Sequence, residues 1–369
     1  MNAPQRRVDR PVLPSSRPQV ERLMGLLEGR PRALLLVHDN PDPDAIAAAL
    51  CLSVLVEARL DVKPRIAYGG VIGRAENRNM VRALDIPLWS VDNIKFRSDD
   101  AVILVDTQPG FANNSLPADQ PVLAVVDHHP GHVSAEVPLA DVRPSYGAVT
   151  TIVVEYLVAA RVPVAPELAT AICYAIATET QDLGREASVP DIAAYLEVFP
   201  LCDQPLLGRL RHPRRDMAFF VELDRAIRAA RVSDGVAVCH MGTVRTPDSA
   251  AEMADVLASI EGLEWVMCTG VYEDRLIVSV RTLDRDAAAG ELLRGVVGER
   301  RRAGGHGMIA GGAVEVAPGE DPQQVHDDLA RRFLAALGRD AGAELKPLTA
   351  LAQPVGPEGI GSTGGGGGW

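Results

Sequence analysis

A chain of 369 residues is too long for one ordinary core and fits two domains of average size, which implies a cleft. Its net charge of -12 excludes a broad electrostatic grip on long duplex nucleic acid and leaves short or mononucleotide phosphates as candidate partners. The five cysteines (Cys51, Cys173, Cys202, Cys239, Cys268) never fall at Cys-x-x-Cys spacing, which argues against a zinc site and for buried thiols in a reducing compartment.

Residues 1–18 are polar and proline-rich and read as a disordered N-terminus. From there the apolar runs Ala33 to Val37, Ala101 to Val105 and Val122 to Val126 lack alternation, as strands buried on both faces of a parallel sheet do. Helical stretches follow at Asp44 to Ala58, Glu76 to Leu84, Tyr146 to Ala160 and Pro166 to Thr180. The pattern predicts an α/β fold with a doubly wound parallel sheet over 19–205. Residues 206–234 read as a linker helix, with the charged segment Arg209 to Arg231 beside a turn at Pro213. Strands at Gly235 to Met241, Trp265 to Tyr272 and Arg275 to Thr282, with helices at Ser249 to Ser259 and Ala287 to Val297, predict a smaller C-terminal α/β domain with a mixed sheet over 235–340. Residues 341–369 read as a disordered, glycine-rich tail. No apolar run approaches the roughly 18 residues of a membrane span, and no apolar signal core opens the chain, so a cytoplasmic protein with no membrane partner is expected.

Each apolar run of the first domain ends in an acid or a histidine: His38-Asp39-Asn40-Pro41-Asp42-Pro43-Asp44, then Asp106, then Asp127-His128-His129. Parallel strands share direction, so these clusters gather at one sheet edge, where open α/β sheets bind ligands. Glu179 and Asp182, three apart, read as sharing one face of the fourth helix, within reach of the same site. Crowding carboxylates and imidazoles on buried strand ends is costly unless a cation sits among them. The count exceeds one metal and suits two divalent cations about 3.5–4 Å apart, manganese first and magnesium as the alternative.

The ordered motifs His38-x-x-Pro41-Asp42-x-Asp44-Ala45, Val105-Asp106-Thr107 and Asp127-His128-His129 resemble those of the DHH phosphoesterase superfamily. The resemblance implies that His38 and Asp42 hold one metal, Asp44 and His128 the other, and Asp106 both. Asp127 would orient the neighbouring histidine and His129 would face the phosphate. A fourth family motif, normally Thr-Asp-Thr, is matched by Thr178-Glu179-Thr180, so Glu179 stands where aspartate is usual, with Asp182 as the alternative ligand. In the second domain, Gly304-Gly305-His306-Gly307 resembles the glycine-histidine motif of the DHH-associated domain, and Ser279-Val280-Arg281-Thr282 the strand whose arginine contacts phosphate. The resemblance thereby assigns substrate binding to His129, Arg281, Gly304, Gly305 and His306, and catalytic roles to Asp106, His128 and His129.

Within that superfamily the chain looks most like the bifunctional oligoribonucleases and 3′-phosphoadenosine 5′-phosphate phosphatases, hydrolysing through a two-metal activated water. Cyclic dinucleotide phosphodiesterases come second, inorganic pyrophosphatases third, and a nucleotide-binding regulator without turnover is the non-enzymatic alternative. Among further residues, Arg74, Asn77, Thr150 and Thr151 read as helix caps or ligand contacts, Arg209 to Arg215 as a solvated linker or a strand guide, His240 as a core histidine, and His132 and His326 as surface residues. A homodimer is compatible with the sequence, although no residue argues for it.

Overall fold

The computed structural model describes residues 12–351, apart from 61, 112, 132, 185–186, 285 and 299–302; the expectations for 1–11, His132 and 352–369 lie outside them. The chain divides into two compact units, at Arg214/Arg215.

The first unit runs α1 (Arg17–Leu27), β1 (Ala33–Val37), α2 (Pro43–Arg59), β2 (Arg65–Tyr68), α3 (Ala75–Ala83), β3 (Leu88–Ser90), β4 (Ala101–Val105), β5 (Val122–Asp127), β6 (Leu139–Val142), α4 (Val149–Ala160), α5 (Pro166–Glu179), α6 (Val189–Val198) and α7 (Gln204–Arg211). Its six strands are parallel in the order β3-β2-β1-β4-β5-β6. All residues of β1 and β4 are buried because both sheet faces are covered. Leu35, Val37, Ile103 and Val105 meet the helices, while Leu34, Leu36, Val102 and Leu104 meet loop residues such as Ile94, Phe96, Leu116 and Val133. The reversal of strand order explains this asymmetry. Right-handed crossovers that travel from β4 toward β6 fall on the opposite face from those that travel from β1 toward β3, and there the connections are irregular chain.

The second unit contains α8 (Met217–Ala229), β7 (Arg231–Ser233), β8 (Val236–Thr243), α9 (Ser249–Ala258), β9 (Trp265–Tyr272), β10 (Arg275–Thr282), α10 (Ala289–Val297), β11 (Ala303–His306), β12 (Ile309–Glu315), α11 (Pro322–Ala336), β13 (Lys346–Pro347) and α12 (Leu348–Leu351). Its sheet is mixed, in the order β11-β12-β10-β9-β8-β7-β13, with β8 and β9 parallel and the other pairs antiparallel.

Three sequence expectations change. The stretch 206–234 holds the rest of α7, then α8 and β7, rather than one helix, because Pro213 interrupts hydrogen bonding after α7 and the Asp216 carboxylate caps α8 through Phe219 N. Part of the presumed disordered N-terminus is ordered: Ser16 is buried, with its hydroxyl on Glu155 and Arg143. Residues 341–351 are ordered too, β13 pairing with β7 at the sheet edge. Among the described residues no helix is long and apolar enough to cross a membrane.

Candidate metal centre

The strand order of the first unit reverses between β1 and β4, the crevice where such sheets accept ligands. His38 leaves β1 there, Asp106 leaves β4, and Asp127-His128-His129 ends β5 alongside. The turn after β1 is fastened on several sides. Asp39 N donates to Asn113 O (2.6 Å), Ser115 Oγ to Asp39 Oδ1 (2.8 Å), Val71 N to Asn40 Oδ1 (2.9 Å) and Asn77 Nδ2 to Pro41 O (3.3 Å). Gly69 is required beside it, since a Cβ there would lie 1.9 Å from Asp39 Oδ1. Asp42 then starts α2, its Oδ1 accepting from Asp44 N and Ala45 N (both 3.0 Å), with Pro43 in the first turn.

A carbonyl only accepts, so the hydrogen bonds of Nδ1 decide where two imidazoles carry their protons. His38 Nδ1 donates to Asp39 O (2.9 Å) and His128 Nδ1 to Tyr146 O (3.1 Å). Each turns Nε2 toward Asp106, at 3.5 Å from Oδ2 and 3.5 Å from Oδ1 respectively. His129 Nδ1 donates to Asp127 Oδ1 (2.9 Å) and lies 3.4 Å from Asp106 Oδ1. Asp106 itself is buried in a left-handed conformation (φ 61°), which aspartate tolerates. Its Oδ1 has no hydrogen-bond partner.

An orphaned buried carboxylate oxygen with two imidazoles at 3.4–3.5 Å, and a third at 3.5 Å from its companion oxygen, is badly served by hydrogen bonding, which brings charged partners to about 2.7–2.9 Å. The same spacing suits donors that share a cation, since ligands about 2.1 Å from an ion sit roughly 3.0–3.4 Å from one another. His38, Asp42 and Asp106 form one such donor group and Asp106, His128 and His129 a second, with the donor atoms of each within 4.8 Å of one another and Asp106 in both. Electrostatics agree. Burial, reinforced by Asp42, raises the Asp106 carboxyl against the pull of three imidazoles, and burial together with Asp106 raises Asp44 strongly. Burial opposes charge on His38, yet its acidic neighbours, Asp42 first, raise it to about 10; Asp127 and Asp106 similarly raise His129 to about 9.

Residues 32–176 match the DHH family, N-terminal domain. Over those residues the first unit is similar to a DHH domain. An uncharacterized protein of Methanocaldococcus jannaschii, MJ1633, is 33% identical over 280 residues, which is 75% of this chain and 56% of that protein, so the chain spans about half the length of this relative. The fold is similar to that of an exopolyphosphatase-related protein from Bacteroides fragilis, with a TM-score of 0.67 and 13% identity over 87% of this chain and 98% of the other. An exonuclease RecJ bound to manganese aligns with a TM-score of 0.48 and 17% identity over 92% of this chain and 97% of that one.

Within the first unit the triplet divides its work. Asp127 Oδ1 accepts from His128 N (2.8 Å), His129 N (3.1 Å) and His129 Nδ1, fixing both histidines. Gln108, which sequence reasoning passed over, donates Nε2 to Asp127 Oδ2 (2.7 Å) and to His129 O (2.9 Å). Its only sequence signal was its place two residues after Asp106. Asp44 lies outside the two donor groups. Its Oδ2 accepts from Val149 N (2.7 Å) and its Oδ1 from Thr150 N (3.0 Å), capping α4. Glu179 ends α5 and adds negative potential at Asp44, His128 and His129, but it too lies outside the donor groups. Asp182 does not share a helical face with it: α5 stops at Glu179, residues Gln181 to Leu183 turn left-handed, and the exposed Asp182 lies 3.4 Å from Arg211.

Three further candidates have hydrogen-bond partners within the first unit. Asn77 holds the Pro41 carbonyl, and the Thr150 and Thr151 hydroxyls donate to Asp44 O and Asp191 Oδ1. In the second unit, Arg281 is buried rather than solvated, with Nε on Asp255 and Nη1 on Ser279 Oγ and Val280 O (both 2.9 Å). These contacts engage Nε and Nη1 and fix the orientation of the guanidinium. Gly305 answers to packing: at φ 145° a Cβ would lie 2.2 Å from Ile309 O. Gly304 faces open space, and together with His306 it forms β11 of the β11–β12 hairpin instead of a plain turn. His326, expected at the surface, is buried in α11.

Proposed function

We propose that this chain is a metal-dependent phosphoesterase that hydrolyses short oligoribonucleotides, 3′-phosphoadenosine 5′-phosphate, or both. The observation that carries the reading is Asp106, a buried carboxylate with an unpartnered oxygen among the nitrogens of His38, His128 and His129. In this reading His38, Asp42 and Asp106 hold one divalent cation, and Asp106 and His128 hold a second with Asp44 and Glu179. The Asp44 oxygens each retain a lone pair beyond their backbone hydrogen bonds. Imidazole nitrogen beside carboxylate favours manganese over magnesium. Bound there, such cations supply charge neutralisation at phosphoryl oxygens and acidify water.

The protein groups supply orientation. Carbonyls of Asp39 and Tyr146 keep the Nδ1 protons of His38 and His128 in place, leaving each Nε2 lone pair for coordination. Asp127 holds the Nδ1 proton of His129 and, with Asp106, raises the ring to about 9, so near neutral pH it is an imidazolium whose Nε2–H is the donor offered to a nonbridging phosphoryl oxygen. Arg281, Gly304, Gly305 and His306 are proposed as the second unit's substrate contacts.

Chelator-stripped protein is reloaded with manganese and offered dinucleotides, 3′-phosphoadenosine 5′-phosphate, cyclic dinucleotides and pyrophosphate. Turnover of either of the first two supports the proposal, and a preference for cyclic dinucleotides or pyrophosphate replaces the substrate while keeping the chemistry. Binding without turnover of any of them makes the chain a nucleotide-binding regulator and overturns the enzymatic reading.

A further inference from the structure

The second unit contains a cavity of about 400 Å³ between β8, α11 and the chain that follows α11. Two imidazoles line it, His240 from β8 and the buried His326 from α11, with Asp327 beside them and Val238, Ala330 and Leu334 as apolar wall. The rings stack at 5.2 Å between centroids and 30° between planes. Each brings Nδ1 to one hydroxyl, Thr269 Oγ1, at 2.9 Å. Thr269 is fully buried on β9, in register with His240.

That shared hydroxyl constrains both rings. It carries a single proton, and its alternative acceptor, Cys239 O, lies 3.5 Å away against 2.9 Å for either imidazole. The proton therefore goes to one Nδ1, and the other Nδ1 must carry its own proton and donate to Oγ1. The two histidines are then opposite tautomers. Away from Thr269 one ring then carries Nε2–H and the other a bare Nε2, a donor and an acceptor on two residues that line one cavity. Both rings stay neutral: burial depresses His240, and burial with His240 depresses His326 to about 4, against the opposing pull of Asp327 on both and of Asp321 on His240. Neutral rings do not recruit an anion, and a cation needs bare nitrogen on both. Among the described residues these histidines join no metal-donor group.

We propose that this cavity binds a small planar lactam or imide, such as the edge of a uracil or guanine base, through His240 and His326. A carbonyl beside an N–H meets the donor and the acceptor together, while the apolar wall packs the ring face, the usual composition of a small-molecule pocket. The inference stands independently of the metal centre of the first unit.

The full chain carrying 15N-labelled histidine is titrated with uridine, guanosine and 3-methyluridine, which keeps its carbonyls and lacks the imide N–H. The imidazole 15N shifts report opposite tautomers at positions 240 and 326, uridine or guanosine perturbs both rings, and 3-methyluridine binds at least about tenfold more weakly than uridine. Thr269→Val, near-isosteric and checked for folding by circular dichroism, releases the tautomers and weakens uridine binding by a similar factor. Identical tautomers on both rings, equal binding of 3-methyluridine, failure of uridine and guanosine at millimolar concentration, or capture of zinc by the two rings would each overturn the proposal.

Discussion

Thr150 grips Asp44 twice, its backbone N–H donating to Oδ1 at 3.0 Å and its hydroxyl to the Asp44 carbonyl at 3.1 Å. A residue in the first turn of α2 thereby closes the start of α4, with Val149 N on the other carboxylate oxygen. In metal-free protein Asp44→Ala should lose about 1–3 kcal/mol, the worth of a cap plus stranded buried amides. Urea denaturation under chelator reads this directly, and an unmoved midpoint would show that the cap is not what stabilises α4.

Asp106→Asn separates chemistry from folding. Asparagine keeps the left-handed backbone available and removes a buried, poorly partnered charge, so the metal-free melting temperature should hold or rise. The same variant should lose hydrolysis and the stabilisation that divalent cations confer on the parent, roughly 2.7 kcal/mol at a hundredfold excess over Kd. Manganese titration monitored by thermal unfolding decides it; a cation-dependent shift of parental size in the variant places the site elsewhere.

Arg143 ties together Asp141 (2.7 Å), Glu155 (2.6 Å), Ser16 Oγ (2.8 Å) and the Tyr146 hydroxyl (3.1 Å). Tyr146 is also the residue whose carbonyl receives His128 Nδ1. Arg143→Met leaves buried acids without their cation and should cost about 3–5 kcal/mol. Manganese affinity should weaken as well, because the His128 ring loses its anchor. A fall in stability with affinity intact would confine Arg143 to a structural role.

His326 makes the second unit sensitive to acid. Its folded-state pKa of about 4 lies below the ordinary value of 6.5, so the unfolded chain takes up the proton more readily. Stability from this group is therefore complete above about pH 6.5 and drains away as pH falls toward 4, by up to about 3 kcal/mol. His326→Gln should flatten that part of the stability profile in urea titrations followed by tryptophan fluorescence with Trp89 and Trp369 replaced by Phe, and an equally steep profile in the variant would assign the sensitivity to another group.

Legibility followed burial. Ala33–Val37 and Ala101–Val105 emerge with the same bounds in the structure because strands of a parallel sheet covered on both faces are apolar throughout, and Trp265–Tyr272 and Arg275–Thr282 do so through their β-branched and aromatic residues. The strands β2, β3 and β6 were missed, being three or four residues long and partly exposed at or near a sheet edge. Helix α6 was missed although Ser188 and Asp191 form a capping box that its sequence carries. At the site, His38, Asp42, Asp106, His128 and His129 converge because strand ends fix their direction. The surroundings of Asp44, Asp182 and Arg281 depended on partners distant in sequence (Val149, Arg211 and Asp255), which no local spacing reveals.

Irregular chain covers one face of the first sheet, and those same connections carry Gln108, Asn113 and Ser115, which brace the site. Opening that cover does not require unfolding the helical side. The durability of the site is thus set by a local fluctuation and not by global stability: amide exchange at Asn113 to Leu116 should be faster than in β1 and slow on cation binding, long before any change is seen in the helices.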